Sequence, residues 1–169
     1  MVVRFVVDRM LGRLTTWLRL LGYDVVSASD FDLSAEEDDL LLGLAKEGRL
    51  LLTRDRTLRS KAEKRGVPIC FIHSDMVMEQ LEEVYSCCDI QLEPQMSRCT
   101  ICNASIRKAM PEDVDMLKKE DYVPDRLIGI IDFWVCDNCG QVYWEGSHWD
   151  NIRKRTDELK KRVGSKEKE

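Results

Sequence analysis

Four of the seven cysteines form two Cys-x-x-Cys pairs, which are Cys99 with Cys102 and Cys136 with Cys139. Each such pair can place two thiolates on one metal ion, and two pairs complete a tetrahedral Zn²⁺ site. Four sulfur ligands leave no open coordination position, so the predicted zinc would hold structure rather than do chemistry. Gly140 and Asn103 follow the two pairs and tolerate the positive φ that such turns need. A redox dithiol and unliganded thiols are the alternatives at these positions.

The other three cysteines lie outside this pattern. Cys70 falls in an apolar, strand-like run, and Cys87 and Cys88 are adjacent at the end of a helix-like segment. The odd total argues against a fully paired secreted protein, so we expect a reducing compartment and metal binding rather than disulfides. The start of the chain is charged too early for a signal peptide, and no apolar run is long enough to cross a bilayer. The sequence therefore predicts a cytoplasmic protein without membrane contact.

Carboxylates occur at the ends of several strand-like runs. Asp8 follows the first run, Asp55 the third and Asp75 the fourth, while Asp38 and Asp39 begin the helix that leads into the third. The carboxyl ends of parallel strands share one edge of a sheet, where ligands bind. Acids gathered there repel one another unless a cation such as Mg²⁺ or Mn²⁺ is bound, and these ions activate water for phosphoryl displacement. Each acid taken singly is also explained as a turn or helix-cap residue.

Arginines flank these acids along the chain. Arg9 and Arg13 are four residues apart, hence on one helix face beside Asp8, and Arg54 directly precedes Asp55. Guanidinium groups form bidentate contacts with phosphate, so these three arginines are candidate substrate-binding residues. The alternative is that the basic residues face solvent and bind no substrate, above all those between 59 and 65. The net charge of −5 alone argues against nucleic-acid binding, but basic residues concentrate at 54–65 and after 151.

Strands and helices alternate through the first half of the chain. Apolar runs predict strands at 2–7, 23–27, 49–53 and 67–72, and amphipathic spacing predicts helices at 10–21, 34–47, 56–65 and 75–85. Ser34 and Glu37 form a capping-box pattern at the start of the second helix. This order predicts βαβ units and an α/β fold, with a parallel sheet that carries helices on both faces.

The pattern changes near Pro94. Beyond it lie the cysteine pairs, a helix-like segment at 111–121 and short aromatic strands at 133–135 and 142–144. We therefore predict three parts, at 1–94, 95–150 and 151–169, the last being a basic helix or, by default, a solvated tail. The aromatic residues of the second part either form a small core or stack on unpaired bases; they are Trp134, Tyr143, Trp144 and Trp149. His148 is a possible substitute metal ligand, and its position is equally compatible with a structural, hydrogen-bonded role and with a role near RNA.

The chain resembles the Mut7-C ribonuclease family, a branch of the PIN-like nucleases fused to a zinc ribbon. The resemblance rests on residues 5–14, 17–24, 38–45 and 49–55, and continues through both cysteine pairs to His148. It implies a PIN-like parallel sheet flanked by helices, followed by a small zinc ribbon, with an acidic metal site that cuts RNA. Carried over by position, Asp8, Asp38 and Asp55 match the family's acids. Asp75 is a weaker candidate from its strand position, and Asp39 competes with Asp38.

The expected activity is metal-dependent hydrolysis of RNA phosphodiester bonds. The expected cofactors are a structural Zn²⁺ and a catalytic Mg²⁺ or Mn²⁺, and the expected partner is RNA. One alternative is a non-catalytic RNA- or ribosome-binding module in which the ribbon does the binding. A second is a toxin-like protein silenced by a partner. The sequence leaves the substrate RNA, the mode of cleavage and the oligomeric state open.

Overall fold

The computed structural model describes residues 2–32 and 36–166. Four parallel strands form the main sheet, and they are β1 (Phe5–Val7), β2 (Val25–Ser27), β3 (Leu50–Thr53) and β4 (Ile69–Phe71). The helices between and after them are α1 (Gly12–Leu20), α2 (Glu37–Lys46), α3 (Arg56–Lys64) and α4 (Val77–Cys88). The strand order is β2-β1-β3-β4. The predicted α/β fold with a parallel sheet flanked by helices is confirmed.

Alternating side chains of the strands form a core on each face of the sheet. Phe5 and Val7 of β1 pack on the face covered by α1 and α4, whereas Val6 packs on the other face against α2 and α3. This division follows from the two-residue period of a strand, because a strand buried on both faces reads as a continuous apolar run. The apolar run at the start of the chain was therefore a sound signal for a central strand.

The second half carries a three-stranded antiparallel sheet. Its strands, in spatial order, are β5 (Arg107–Lys108), β6 (Phe133–Val135) and β7 (Val142–Trp144), and a short helix α5 (Val114–Leu117) precedes β6. A small core of its own lies beside this sheet, with Phe133, Val135 and Val142 at its centre and Trp144 packed against it. Trp144 thus contributes to a core, although it stays half-buried.

The last element is helical, which was one of the two alternatives for residues 151–169, and it is not the solvated tail taken as the default. α6 (Ser147–Lys166) is a helix of 20 residues that begins before that segment. Leu159 and Val163 of α6 pack into the same core as α1 and α4, and the Arg162 side chain pairs with Glu82 of α4 at 2.8 Å. The sequence pattern was weak because only these few apolar residues face the core of an otherwise charged helix.

Several helices begin or end at residues other than those predicted. The helix predicted at 10–21 begins with a 3-10 turn (Arg9–Leu11), because the Asp8 side chain accepts the Met10 N–H and caps that turn. The helix predicted at 111–121 is limited to a 3-10 turn and α5. Ser34, the predicted cap of α2, lies outside the described residues. No helix in the described ranges is long and apolar enough to span a membrane.

One buried arginine joins α1 to the cysteine-rich part. The Arg19 guanidinium, 3% exposed, donates to the Val25 carbonyl and to the Asp30 carboxylate of the turn after β2. Its remaining N–H groups donate to the carbonyls of residues 100 and 101, at 3.1 and 2.8 Å. These contacts occupy all five guanidinium donors.

A second contact lies beside Arg19. The Asn103 side chain accepts the Val25 N–H at 3.0 Å and donates to the Asp24 carboxylate at 2.8 Å, so it covers the free edge of β2. Burial acts to raise the pKa of Asp24, but hydrogen bonds from Arg49 and Asn103 outweigh it, so the pKa is lowered. The division into three parts stays a prediction, and the first two parts are joined by these buried polar contacts.

The cysteine usage differs from the expected absence of disulfides. Cys70 of β4 and Cys87 of α4 form a disulfide across 17 residues of sequence. Cys70 is buried and Cys87 is exposed. Sequence reasoning missed this pair because α4 packs over β4 only in the tertiary structure.

We expect thiol titration of denatured, metal-free, unreduced protein to find five free thiols, and seven after reduction. Cys87→Ser should remove the difference between the two titrations. It should also lower stability by up to about 3 kcal/mol, because the unfolded chain loses a loop constraint. Cys88→Ser is the matched control, since it should lower both counts by one and preserve the difference. Seven thiols before reduction would contradict the pairing.

We expect Arg19→Lys to destabilise the fold by at least about 2 kcal/mol, because lysine has three donors for acceptors that now receive five hydrogen bonds. Denaturant unfolding would measure the loss. Arg13→Lys is the matched control, since Arg13 lies on the same helix and is exposed. Equal stability of the two variants would show that the contacts of Arg19 contribute little.

Candidate functional site

The four paired cysteines come together as a compact sulfur cluster. Cys99 and Cys139 have their Sγ atoms 3.6 Å apart, those of Cys102 and Cys136 are 3.5 Å apart, and all four atoms lie within 4.8 Å of one another. A tetrahedral zinc with Zn–S bonds of about 2.3 Å needs sulfurs roughly 3.8 Å apart, so the cluster fits the ion. The four cysteines could bind zinc, as the spacing predicted.

The two knuckles that supply these sulfurs have the same backbone pattern. In the first, the Asn103 N–H donates to the Cys99 carbonyl, and in the second the Gly140 N–H donates to the Cys136 carbonyl. Asn103 and Gly140 both have positive φ, at 66° and 77°, which confirms the prediction made for these two positions. Asparagine at the first knuckle has a second use, because its side chain is the one that binds the edge of β2.

A tyrosine supports the cluster from outside. The Tyr143 hydroxyl lies 3.1 Å from the Cys99 Sγ and accepts the Thr100 N–H at 3.0 Å. Burial and the hydrogen bond to Cys99 raise the pKa of Tyr143, so the phenol stays neutral and can donate to a thiolate. Of the candidate stacking aromatics, Tyr143 is therefore tied to the metal site, while the Trp149 ring is buried.

The electrostatics of the cluster favour a cation. Burial acts to raise the pKa of Cys102, but hydrogen bonds from Ala104, Asn138 and neighbouring sulfurs outweigh it and lower the pKa to about 6. Burial, together with contacts to the neighbouring sulfurs, raises the pKa of Cys139 to about 12. One thiolate therefore forms readily while a neighbour resists ionisation, and a divalent ion removes that resistance by binding both thiolates. His148 is exposed at the start of α6 and is not part of the cluster.

The predicted acids follow the strands at the carboxyl edge of the main sheet, and we call this edge the rim. Asp8 follows β1, Asp55 follows β3 and Asp75 follows β4. Because β1 and β3 are neighbours in the sheet, Asp8 and Asp55 follow adjacent strand ends. The buried Thr53 hydroxyl donates to Asp8 Oδ2 and accepts the Asp55 N–H at 2.9 Å, so one side chain links both positions.

The two linked acids differ in how many of their carboxylate oxygens accept hydrogen bonds. Asp8 is 4% exposed, and both of its oxygens accept hydrogen bonds, from Met10, Thr53 and Arg54. Asp55 caps α3, with its Oδ1 accepting the N–H groups of residues 57 and 58 at 2.6 and 3.1 Å. Its Oδ2 has no hydrogen-bond partner among the described residues.

The remaining candidate acids form ion pairs at the surface. Asp38 pairs with Lys61 at 2.7 Å and Asp39 with Arg65 at 2.8 Å, so both point to α3. Asp75 pairs with Arg54. Within residues 2–32 and 36–166, the four cysteines are the only group of three or more potential metal ligands whose ligand atoms lie close enough to share one ion. The candidate acids therefore do not lie at coordination distance from one another.

Glu37 is an acid for which the sequence predicts only a place in a capping box. Its Oε2 accepts from Arg9 at 2.8 Å, and Arg9 follows Asp8 at the end of β1. Of the three acids that open α2, Glu37 is therefore the one paired with a residue of the rim. Its only sequence signal was its place beside Asp38 and Asp39.

Two of the three candidate phosphate-binding arginines, Arg9 and Arg54, lie at the same edge. The Arg9 guanidinium is 49% exposed, and Arg54 is bound to Asp75 and to the His73 carbonyl. Arg13 is exposed on α1. Arg9 and Arg54 are thus both near an acid in this structure, as their sequence positions indicated.

Comparison with known proteins gives one family. A family model described as "Mut7-C RNAse domain" matches residues 3–156, which is most of the chain. No curated protein and no solved structure gives a match.

We expect purified, reduced protein to hold one zinc ion per chain, measured by elemental analysis. Chelation should also speed hydrogen exchange at the Val25 amide, because that N–H donates to Asn103 in the first knuckle. The Val6 amide, on the central strand β1, serves as the internal control. Absence of zinc would contradict the metal site, and an unchanged Val25 rate on zinc removal would contradict the coupling of the knuckle to the sheet.

Proposed function

Because the chain belongs to the Mut7-C RNAse domain family, we propose that it is a metal-dependent ribonuclease that hydrolyses RNA phosphodiester bonds at the rim of a PIN-like sheet. The family match suggests a nuclease-type function. The observation that carries the finer proposal is the pair of acids on adjacent strand ends, Asp8 and Asp55, joined through Thr53. A zinc ribbon built on the four cysteines would hold the second part of the chain and aid RNA binding.

The donor set at the rim fits a hard cation. Carboxylate oxygens are the ligands that Mg²⁺ and Mn²⁺ prefer, and Asp55 Oδ2 is left without a partner among the described residues. When bound there, the ion would supply an activated water and stabilise the charge of an in-line displacement. Asp8 is held rigidly by its hydrogen bonds, so it provides a fixed point of negative charge beside Asp55.

We infer that Asp38 and Asp75 complete the acidic site. Both are now in exposed or partly exposed ion pairs, with side chains 39% and 82% exposed. Such pairs contribute only about 0–1 kcal/mol, so a divalent ion can replace the basic partner at small cost. Glu37 competes with Asp38 for this role because it already lies beside Arg9. Arg9, Arg13 and Arg54 would bind the phosphates on either side of the cleaved bond.

The second candidate function is RNA or ribosome binding without catalysis. It is favoured by one observation, that the acids of the described residues do not lie within coordination distance of one another. In that case the rim arginines and the ribbon would hold RNA, and the RNA would stay uncut whether or not a divalent metal is added.

The decisive variant is Asp55→Asn. Asparagine caps helices about as well as aspartate, so the fold should keep its stability to within about 0.5 kcal/mol. Cleavage of a labelled RNA in Mn²⁺ or Mg²⁺ should fall by at least about 100-fold, because a ligand charge is lost at the metal. Asp115→Asn is the control, since this exposed acid lies on α5 in the cysteine-rich part. Glu37→Gln and Asp38→Asn, measured in parallel, show which α2 acid serves the site.

Two results would overturn this function. If no structured or unstructured RNA is cut with either metal, the binding alternative replaces catalysis. If Asp55→Asn cuts as fast as the parent, Asp55 is only a helix cap.

A further inference from the structure

A cleft lies between the main sheet and the first cysteine knuckle, and nothing in the proposed function uses it. Its volume is about 450 Å³, which is within the range of small-molecule sites. One wall is the segment that follows β2, with Ser29, Asp30 and Phe31. Ile101 and Cys102 of the knuckle form the opposite wall. The cleft is therefore made by the docking of the zinc knuckle on the sheet.

The first wall of this cleft is hydrogen-bonded to an arginine of the rim. Arg9, which follows the rim residue Asp8, donates to the Ala28 carbonyl at 3.1 Å and to the Phe31 carbonyl at 3.4 Å. The same guanidinium is half exposed and so can also contact a phosphate. A chain that places a phosphate at Arg9 therefore has its next group beside the segment that forms the first wall.

The walls present apolar surface that water solvates poorly. Ile101 is 58% exposed and the Phe31 ring is only half-buried, so both present apolar area to the cleft. A flat, weakly polar group would cover both side chains. A nucleobase is such a group, and unpaired RNA bases commonly stack on aromatic side chains.

The Asp30 carboxylate, which lines the cleft, selects among possible ligands. Asp30 Oδ2 is occupied, because it accepts from Arg19 at 2.7 Å and from the Ser27 N–H at 2.8 Å. In the part of the chain that the structure describes, Asp30 Oδ1 has no hydrogen-bond partner. A carboxylate oxygen can only accept, so it favours a base with an exocyclic amine and disfavours uracil, whose single N–H lies between two carbonyl oxygens that the carboxylate repels.

We propose that this cleft binds one unpaired RNA base with an exocyclic amine, so that adenine, cytosine and guanine are preferred to uracil at the position next to the phosphate held by Arg9. The base would lie between Phe31 and Ile101 with its amine directed to Asp30. This proposal rests on the proposed function in that RNA is the ligand, and it adds a base preference to it. Carboxylates recognise the amine of cytosine in the same way in DNA-binding proteins.

The test measures binding without turnover. Fluorescently labelled oligo-A, oligo-C and oligo-U are titrated with the zinc-loaded full chain at one salt concentration, with no Mg²⁺ or Mn²⁺ added. Oligo-A and oligo-C should bind at least about five-fold more tightly than oligo-U. An oligomer of purine riboside, which differs from oligo-A only by the missing amine, should bind as weakly as oligo-U.

Variants on each wall identify the site. Phe31→Ala should weaken oligo-A binding by about five-fold or more and abolish the preference over oligo-U, because a stacking contact is lost. Ile101→Ala, on an exposed residue that the fold does not need, should act in the same direction. Phe71→Ala is the matched control, since this half-buried phenylalanine lies on β4, at the opposite edge of the sheet from β2. Thermal melting shows whether each variant is folded.

The outcomes separate this proposal from the function on which it rests. A base preference that Phe31→Ala and Ile101→Ala both abolish, in a protein that cuts no RNA, supports the cleft and refutes the nuclease. Cleavage with equal affinity for oligo-A, purine and oligo-U overturns the cleft and leaves the nuclease standing. A preference that survives both wall variants places base recognition elsewhere and also overturns the cleft, and binding to no RNA overturns both.

Discussion

The structure depends on one buried guanidinium. Arg19 makes five hydrogen bonds to acceptors in β2, in the turn after β2 and in the first cysteine knuckle. A buried arginine is tolerated only where its donors are matched, so these three segments cannot shift independently without leaving donors unpaired. Asn103 adds to this constraint, because its left-handed backbone turns the knuckle while its side chain covers the edge of β2. The sheet and the metal knuckle therefore form one mechanical unit, and the cleft between them has fixed walls.

Local patterns were enough to predict the main sheet but not the contacts that lock it. The strands and helices up to residue 88 follow from apolar runs and periodic spacing, and the parallel order follows from their alternation. Arg19, by contrast, is one charged residue on a helix, and its acceptors at 100 and 101 are remote in sequence. The same limit applies to Cys70 and Cys87, and to α6, whose core contacts come from a few apolar residues in a charged segment. Each of these depends on which surfaces meet, which periodicity does not encode.

The candidate acids show a similar division. The sequence placed Asp8, Asp55 and Asp75 after strands, and in a parallel sheet those positions share one edge. It could not decide between Asp38 and Asp39, and the structure pairs the first with Lys61 of α3 and the second with Arg65, which caps the end of α3. Asp55 can cap a helix and also bind a metal ion, so these two interpretations do not exclude each other. A helix cap uses one carboxylate oxygen, here Oδ1, and the geometry that aims that oxygen at the helix leaves the other at the rim.

The ion pairs at the rim couple the two ligands that a nuclease needs. Without metal or RNA, Arg9 is paired with Glu37 and Arg54 with Asp75, so these arginines and acids neutralise one another. On the proposed function, a divalent cation that takes either carboxylate releases its arginine, and a phosphate that takes either arginine releases its carboxylate. Each ligand thus lowers the cost of binding the other, and by linkage the effect is equal in both directions. On the same proposal, a chain with a net charge of −5 presents more positive charge to RNA at the rim once a cation has taken the carboxylates, because Arg9 and Arg54 are then no longer neutralised.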